Sequence, residues 1–354
     1  MKNIVIAFLL ILSFSCKQDP SNKNEIVTSD IDEVKEKTVD YTDLTIVFAS
    51  CNDQDMAQPL WKPIIECKPN VFIWGGDNIY ADTDDMKKMK ADYNKIKTNP
   101  DYVELTKRTL ITGTWDDHDY GDNDAGSEWP VKAEAQDLFF DFIGVAKQNY
   151  RRNKEGVYHI QSYNTQNGSI KVVLLDTRYF RDSLKFNPEK GRRYMPWPKG
   201  EGGTILGDTQ WKWLTKELED DKPIFTLIVT SIQFLADENG WEKWGNFPDE
   251  VEKMYQILRD AKSKNIIMLS GDRHLAEFSV SEVEGLDYPL VDFTTSGMTK
   301  TYPDSPFEPN RFRIGDQVKQ LNFGLLKFDF KKEKVTMEIR GEDNHVFDVL
   351  VQEY

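Results

Sequence analysis

The chain has 354 residues, enough for one large hydrophobic core or two smaller ones, and 39% of them are hydrophobic, as in a folded protein. Its 45 basic and 60 acidic side chains give a net charge of −15, which disfavours a nucleic-acid-binding surface. The same acidic side chains offer oxygen ligands to metal cations.

The N-terminus resembles an export signal. Lys2 precedes an apolar run at residues 4–12, which is too short to cross a bilayer permanently and is typical of a signal peptide. Ser15 and Cys16 follow it, as in the lipobox of bacterial lipoproteins, although Leu12 lies one position earlier than in the stricter pattern. We predict a lipoprotein-type signal peptide at residues 1–16. Cys16 would then be lipidated and would anchor an exported protein in the outer membrane of the bacterial cell envelope. The protein would face either the periplasm or the cell surface. Ordinary cleavage beside an incidental cysteine is the alternative.

Residues 17–40 are polar and charged and have no sustained apolar face, which predicts a flexible tether. From residue 41 to residue 354 there is no linker, repeat or low-complexity segment, so we predict one folded domain there.

Short β-rich runs alternate with helical patterns along this domain. The predicted strands are residues 44–49, 71–74, 110–115, 171–175, 225–230 and 266–269, and the predicted helices are residues 56–65, 133–142, 211–219 and 250–262. The last 70 residues are mostly strand-like, with predicted strands at residues 290–294, 324–330 and 334–339, and should supply an edge sheet. The order favours an α/β fold with two sheets flanked by helices.

Four of these strands end in polar residues of catalytic type, at residues 51–52, 77–80, 115–119 and 272–274. Ligands of α/β sheets bind at the carboxyl ends of strands, so we expect these segments to meet in one crevice.

The second segment follows two glycines, which allow the chain to turn sharply as the strand ends. Asp77 could then bridge two cations through its two oxygens, and Tyr80 could return to the same site as a phenolate. A simple turn with a packed tyrosine is the alternative for this segment alone.

The third segment is rich in acidic groups and lacks the residue phasing of an EF-hand calcium loop. Asp117 is the predicted metal ligand, and His118 could protonate or stabilise the leaving oxygen. In the fourth segment, Asp272 and His274 should face the same side of an extended chain. His274 could bind a metal directly, or it could donate a hydrogen bond to a residue that does.

Taken in order, these segments resemble the alkaline phosphatase D (PhoD-like) branch of the calcineurin-like metallophosphoesterases. The resemblance covers roughly residues 44–300 and extends to residues 175–181 and 207–211. It implies a four-layer αββα sandwich and metal-dependent hydrolysis of phosphate monoesters or diesters. The chain departs from the wider superfamily at Ser50 and Cys51, where an Asp-x-His pair is usual, and it lacks a histidine at residues 230–233.

The resemblance implies Fe³⁺ held by Cys51, Asp77, Tyr80 and Asp272, and one or two Ca²⁺ near Asp77, Asp117 and Asn123. Thiolate and phenolate ligands favour the trivalent ion, and oxygen-only sites prefer Ca²⁺ or Mg²⁺. Mg²⁺, Mn²⁺ or Zn²⁺ are the alternatives. Cys51 must then stay reduced, which argues against the disulfide with Cys67 that an oxidising compartment would otherwise favour.

The expected mechanism is attack of a metal-activated hydroxide on phosphorus. Arg178 could hold the phosphate through its planar guanidinium, or it could form a structural pair with Asp176. Arg181 is expected at the surface.

Four tryptophans lie in loop-like stretches, at positions 129, 197, 241 and 244. They could bind an organic leaving group, although we expect at least half of them to be packing residues. An alternative function is a surface lipoprotein that binds glycan through these aromatic loops and keeps its metal site for structure only.

Overall fold

A computed structural model describes residues 43–354 and the backbone of Lys37 and Thr38. The predicted signal peptide, Cys16 and most of the predicted tether lie outside the described residues. Within the described part of the chain, no helix is both long and apolar enough to cross a membrane.

The described residues form strands and helices that alternate through the first three quarters of the domain. The strands are β1 Lys37–Thr38, β2 Leu44–Ala49, β3 Val71–Gly75, β4 Leu110–Thr114, β5 His159–Asn164, β6 Ser169–Leu174, β7 Lys185–Phe186, β8 Tyr194–Met195, β9 Phe225–Val229, β10 Ile266–Ser270, β11 Ala276–Ser281, β12 Leu290–Thr295, β13 Arg313–Val318, β14 Phe323–Asp329, β15 Lys334–Arg340 and β16 Val346–Glu353. The α-helices are α1 Trp61–Glu66, α2 Met86–Lys97, α3 Pro100–Thr106, α4 Asp117–Tyr120, α5 Lys132–Phe142, α6 Gly207–Glu217 and α7 Pro248–Asp260.

Two mixed sheets form the centre of the domain. The larger sheet has the order β1-β5-β6-β9-β10-β12-β11-β13, and the smaller one has the order β16-β15-β14-β2-β3-β4. Strands β6, β9, β10 and β12 are parallel, as are β2, β3 and β4, and the remaining pairs inside these sheets are antiparallel apart from β1 with β5. Strands β7 and β8 form a separate hairpin.

The alternation of side chains along each strand builds the layers. Ile46 and Phe48 of β2 point into the core between the two sheets, whereas Val47 and Ala49 point to the helices on the outside. Helices α1, α2, α3 and α5 cover the smaller sheet, and α6 and α7 cover the larger one. The predicted αββα sandwich is therefore confirmed.

The predicted C-terminal edge strands are present, but they are divided between the two sheets. Strands β11–β13 extend the larger sheet, and β14 pairs directly with β2 in the smaller one. The C-terminal strands are therefore shared between both sheets, because each sheet has an open edge that pairing strands can cover.

The two sheets bring the ends of their parallel strands together at one rim. Thr114 donates from its hydroxyl to the carbonyl of Leu175 at 2.6 Å, and Ser231 donates to Asp116 Oδ1 at 2.7 Å. These bonds join the end of β4 to the ends of β6 and β9. All four polar segments identified in the sequence lie at this rim.

Candidate metal centre

The turns that leave β2, β3 and β10 have unusual backbone conformations. Cys51, Asp77, Asp272 and His274 all have positive φ, between 49° and 66°. Side chains other than glycine rarely adopt this region, and each such residue costs roughly 1–3 kcal/mol when it is held there. The fold therefore bends the chain at these positions so that their side chains face the rim.

Gly76, the second of the two glycines before Asp77, allows the chain to turn at the end of β3. Gly76 has a φ of 105°, and a Cβ on it would lie 2.6 Å from the Cβ of Asp116. A side chain at position 76 would thus push the Asp77 turn away from the Asp116 segment. The sharp turn that was predicted from the sequence is present.

Asp77 lies at the centre of the site. Its Oδ2 accepts from the Tyr80 hydroxyl at 3.0 Å and from the Cys51 thiol at 3.4 Å. Its Oδ1 accepts from the backbone N–H of His118 at 3.3 Å. The two oxygens of Asp77 therefore face two different sets of side chains.

Three groups of ligand atoms, each within 4.8 Å of one another, meet around Asp77 and Asp117. The groups are Cys51, Asp77 and His274; Asp77, Asp117 and His118; and Asp116, Asp117 and Asp272. Asp77 belongs to two groups and Asp117 to two, so the groups form one continuous cluster. This sharing is the arrangement of a centre for two or more cations.

The electrostatics of the cluster favour a cation. Burial, reinforced by neighbouring acidic groups, raises the pKa values of Cys51, Asp77, Tyr80 and Asp272 well above their ordinary values. Burial also raises the pKa of Asp116 to about 8, despite the nearby charge of Arg178. So many buried acidic groups cannot all ionise without added positive charge.

Two amide oxygens next to the cluster have no partner among the described residues. Asn52 and Asn78 are fully buried, and their Oδ1 atoms accept no hydrogen bond there. Burying such an acceptor without a partner is unfavourable, so a bound cation or water would satisfy it. The donors present therefore fit a metal centre.

The histidines of the site are held in defined orientations. His274 Nδ1 lies 2.8 Å from the carbonyl of Lys300, so it must donate, and Nε2 is left as the acceptor. This tautomer suits a metal ligand. His118 Nδ1 lies 2.6 Å from Asp82, and its ring packs on Tyr80 with centroids 4.1 Å apart.

Arg178 takes part in a buried ion network. Its Nε and one terminal nitrogen contact Asp116 Oδ1, and the other terminal nitrogen lies 2.6 Å from Glu242. Asp176 accepts the backbone N–H groups of Arg178 and Tyr179 instead of the guanidinium. The pair of Arg178 with Asp176 is thus replaced by pairs with Asp116 and Glu242.

Arg181 is fully buried, so its expected place at the surface is wrong. Its Nε lies 3.0 Å from Glu242, which therefore holds two arginines. Glu242 was not identified from the sequence, because no local pattern marks a carboxylate that contacts partners 61 and 64 residues away.

Asn123 lies at the cleft and contacts a neighbour of the cluster. Its side chain is exposed and donates to Asp124 Oδ2 at 2.5 Å, although it lines the same cleft as Asp117. Asp124 in turn donates from its backbone N–H to Asp117 Oδ2 at 2.7 Å.

Cys51 and Cys67 are both free thiols. Cys51 is buried and contacts Ser296 at 2.9 Å, whereas Cys67 is half-buried and lies 3.2 Å from Asn344. The Cys51–Cys67 disulfide is therefore absent, as the expected role of Cys51 requires. Ser296 also accepts from the backbone N–H of His274 and was missed in the sequence, because it follows a strand without an acidic neighbour.

A cleft of about 740 Å³ opens above the cluster. Asp117, Asp272 and His274 form part of its floor, and Lys300 and Arg193 contribute positive charge. Of the four loop tryptophans, only Trp241 lines the cleft, and Trp244 is buried in the core as expected for a packing residue. Tyr302, which was not singled out in the sequence, also lines it.

Comparison with known proteins agrees with this architecture. Residues 46–339 match the family model of the PhoD-like phosphatases. The chain is 21% identical over 210 residues to alkaline phosphatase D of Bacillus subtilis (strain 168), an alignment that covers 52% of this chain and 36% of that relative. The chain thus matches about a third of the length of this curated relative.

Solved structures share the fold. The structure of PhoD superposes with a TM-score of 0.71 at 14% identity, covering 89% of this chain and 69% of that one. A dimetal phosphatase from Danio rerio superposes with a TM-score of 0.53 at 12% identity, covering 88% of this chain and 99% of that one.

Proposed function

The chain belongs to the PhoD-like phosphatase family, and from this premise we propose that it is a metal-dependent phosphoesterase that hydrolyses phosphate monoesters or diesters. The observation that carries the proposal is the sharing of buried Asp77 between two groups of ligand atoms whose other members, Asp117, His118 and His274, line an open cleft. A cluster kept only for structure would not need a cleft above it.

The donors favour particular metals. Cys51 and Tyr80 would supply a thiolate and a phenolate beside Asp77, which supports Fe³⁺ at that position. Asp117 and the other oxygen of Asp77 would supply oxygen ligands, which supports Ca²⁺ at the second position, and Asn123 lines the same cleft. His274 would complete the first position through Nε2.

Cations held by these residues would supply positive charge that neutralises the phosphate and lowers the pKa of a water molecule, the source of the hydroxide nucleophile. The protein groups arrange the remaining steps. Lys300 lies over the Tyr80 ring, 4.0 Å from its centroid, and has no ion pair with the described residues, so its ammonium is available to a phosphate oxygen.

His118 is placed to give a proton to the departing oxygen. It lines the cleft, and Asp82 holds its Nδ1, which leaves the other ring nitrogen for the substrate. Arg178 is occupied by Asp116 and Glu242, so its proposed role is to position the Asp116–Asp117 segment instead of holding the phosphate directly.

The N-terminal segment extends the proposal to location. The apolar run, followed by Cys16, supports an exported protein that is lipid-anchored in the bacterial cell envelope. Labelling with a radioactive fatty acid tests this, because a Cys16→Ser variant should carry no label.

Hydrolysis with and without metal tests the catalytic function. The purified protein should hydrolyse p-nitrophenyl phosphate or bis-p-nitrophenyl phosphate, and chelator should abolish turnover. Asp117→Asn should lower kcat/KM by on the order of 100-fold, because a ligand charge is lost. Asp122→Asn, an exposed aspartate two residues beyond α4 and outside the cluster, is the matched control and should leave kcat/KM unchanged.

Absence of hydrolysis by metal-loaded protein would contradict the proposal. Bound metal without turnover would support the glycan-binding alternative with a structural metal site.

A further inference from the structure

Two large aromatic side chains remain exposed at the cleft above the metal centre. Trp241 is 42% exposed and Tyr302 is 54% exposed, and both line the cleft. The other eight tryptophans are buried or half-buried and lie outside the cleft lining, so Trp241 is the one tryptophan that offers an exposed ring to the cleft.

Both aromatic side chains contact residues of the loop that carries Asp272 and His274. The guanidinium of Arg273 lies 5.5 Å from the Trp241 ring centroid, and Arg273 is itself paired with Glu308. Tyr302 packs edge-on against the His274 ring, with centroids 4.9 Å apart. One aromatic therefore contacts each of two consecutive residues beside the proposed ligands.

The backbone at Trp241 is also held in place by neighbouring contacts. Its backbone N–H donates to Asn239 Oδ1 at 3.0 Å, and the next residue, Glu242, is held by Arg178 and Arg181. A ring whose backbone is anchored in this way loses little conformational entropy when a ligand stacks on it.

We infer that Trp241 and Tyr302, the two exposed aromatic side chains of the cleft lining, provide a subsite for a planar ring in the organic arm of the substrate, such as an aryl group or a nucleobase. The inference rests on the proposed function, since the phosphate would lie on the metal cluster. The cleft volume of about 740 Å³ leaves room for such an arm beside a phosphate. A flat ring stacks on an exposed aromatic side chain, whereas a methyl group gains little from it.

Phosphonates test the subsite without the complication of turnover, because their carbon–phosphorus bond is not an ester. Methylphosphonate and phenylphosphonate carry the same head group and differ only in the arm. As competitive inhibitors of bis-p-nitrophenyl phosphate hydrolysis, phenylphosphonate should have the lower Ki in the native enzyme. Trp241→Ala and Tyr302→Ala should each raise the Ki of phenylphosphonate by about fivefold and leave that of methylphosphonate within about twofold.

Two variants complete the design. Trp241→Phe should retain most of the preference for the phenyl arm, because a flat ring remains. Phe307→Ala is the matched control, since Phe307 is a 67% exposed aromatic residue outside the cleft lining, and it should change neither Ki.

Equal Ki values for both phosphonates in the native enzyme would overturn the inference. A loss in Trp241→Ala that is equal for both inhibitors would also overturn it, because it would assign Trp241 to the architecture of the site alone. If no ester is hydrolysed, the proposed function fails separately. Calorimetric titration of the metal-loaded protein with the same two phosphonates then measures whether the phenyl arm adds affinity.

Discussion

At the scale of single residues, the position of Cys51 is the most informative. It is buried, adopts a left-handed backbone, and lies against Asp77 while Tyr80 contacts the same carboxylate oxygen. A cysteine kept only for packing needs neither the strained backbone nor the acidic neighbours. Both features favour a thiolate ligand.

We expect Cys51→Ser to bleach or shift the violet to brown colour that a Tyr80–iron pair would give the purified protein. Activity should fall by on the order of 100-fold or more, because the anionic ligand is lost. Visible absorption, iron content and kcat/KM measure the three effects. Cys67→Ser is the matched control, since Cys67 contacts Asn344 away from the cluster. Unchanged colour and activity in Cys51→Ser would show that Cys51 is not a ligand.

The site residues next to strand ends could be predicted from the sequence, because each lies within a few positions of a recognisable apolar run. Their partners could not. Glu242 binds Arg178, 64 residues away in the sequence, and Tyr302 packs on the His274 ring, 28 residues away. No local pattern records such contacts.

At the scale of elements, the loop between β9 and α7 connects the core to the cleft. Trp244 is buried and donates to Thr230 at 2.7 Å, Glu242 holds Arg178 and Arg181, and Trp241 faces the cleft. The loop is therefore held at two points, Glu242 and Trp244, immediately after Trp241.

We expect Glu242→Ala to lower the free energy of unfolding by about 3–5 kcal/mol, because it removes a buried carboxylate that two buried guanidinium groups share and leaves Arg178 with Asp116 as its close carboxylate partner. Denaturant unfolding of the metal-free protein measures this. Glu252→Ala is the control: Glu252 pairs with Lys199 at the surface, and solvent screens that pair, so no measurable change is expected. Equal stability of the two variants would show that the buried network contributes nothing.

The elements themselves were predicted unevenly. All nine strands predicted in the sequence are present within one or two residues, because each is a compact apolar run. Helix α2 was missed, although Met89, Tyr93 and Ile96 lie on its buried face, because the many lysines between them obscure that pattern. The N-cap carboxylate of Asp85, which accepts from the Lys87 N–H at 2.9 Å, marks its start.

At the scale of the whole molecule, the sandwich concentrates buried acidic groups at one rim. The pKa values of Cys51, Asp77 and Asp272 are raised mainly by burial, so the metal-free fold carries an unfavourable electrostatic feature. Cations that bind only the folded chain would offset it.

We expect chelation to destabilise the protein, since at a cation concentration about 100 times Kd the bound metal contributes about 2.7 kcal/mol per site. Thermal unfolding with and without chelator measures the effect. Asp77→Asn should remove most of this metal-dependent stabilisation. In the metal-free state it should be more stable than the native chain by about 1 kcal/mol, because a buried acidic group is gone. An Asp77→Asn variant that keeps the full metal effect would contradict the central position of Asp77.

The sequence by itself determined the fold class and the segments that could form the site, because strand periodicity and strand-end polar residues are local properties of the chain. Only the tertiary structure decided how the C-terminal strands divide between the sheets, which carboxylates hold Arg178, and which aromatic side chains reach the cleft. These depend on contacts between residues far apart in sequence, and such contacts are selected by packing of the complete sandwich.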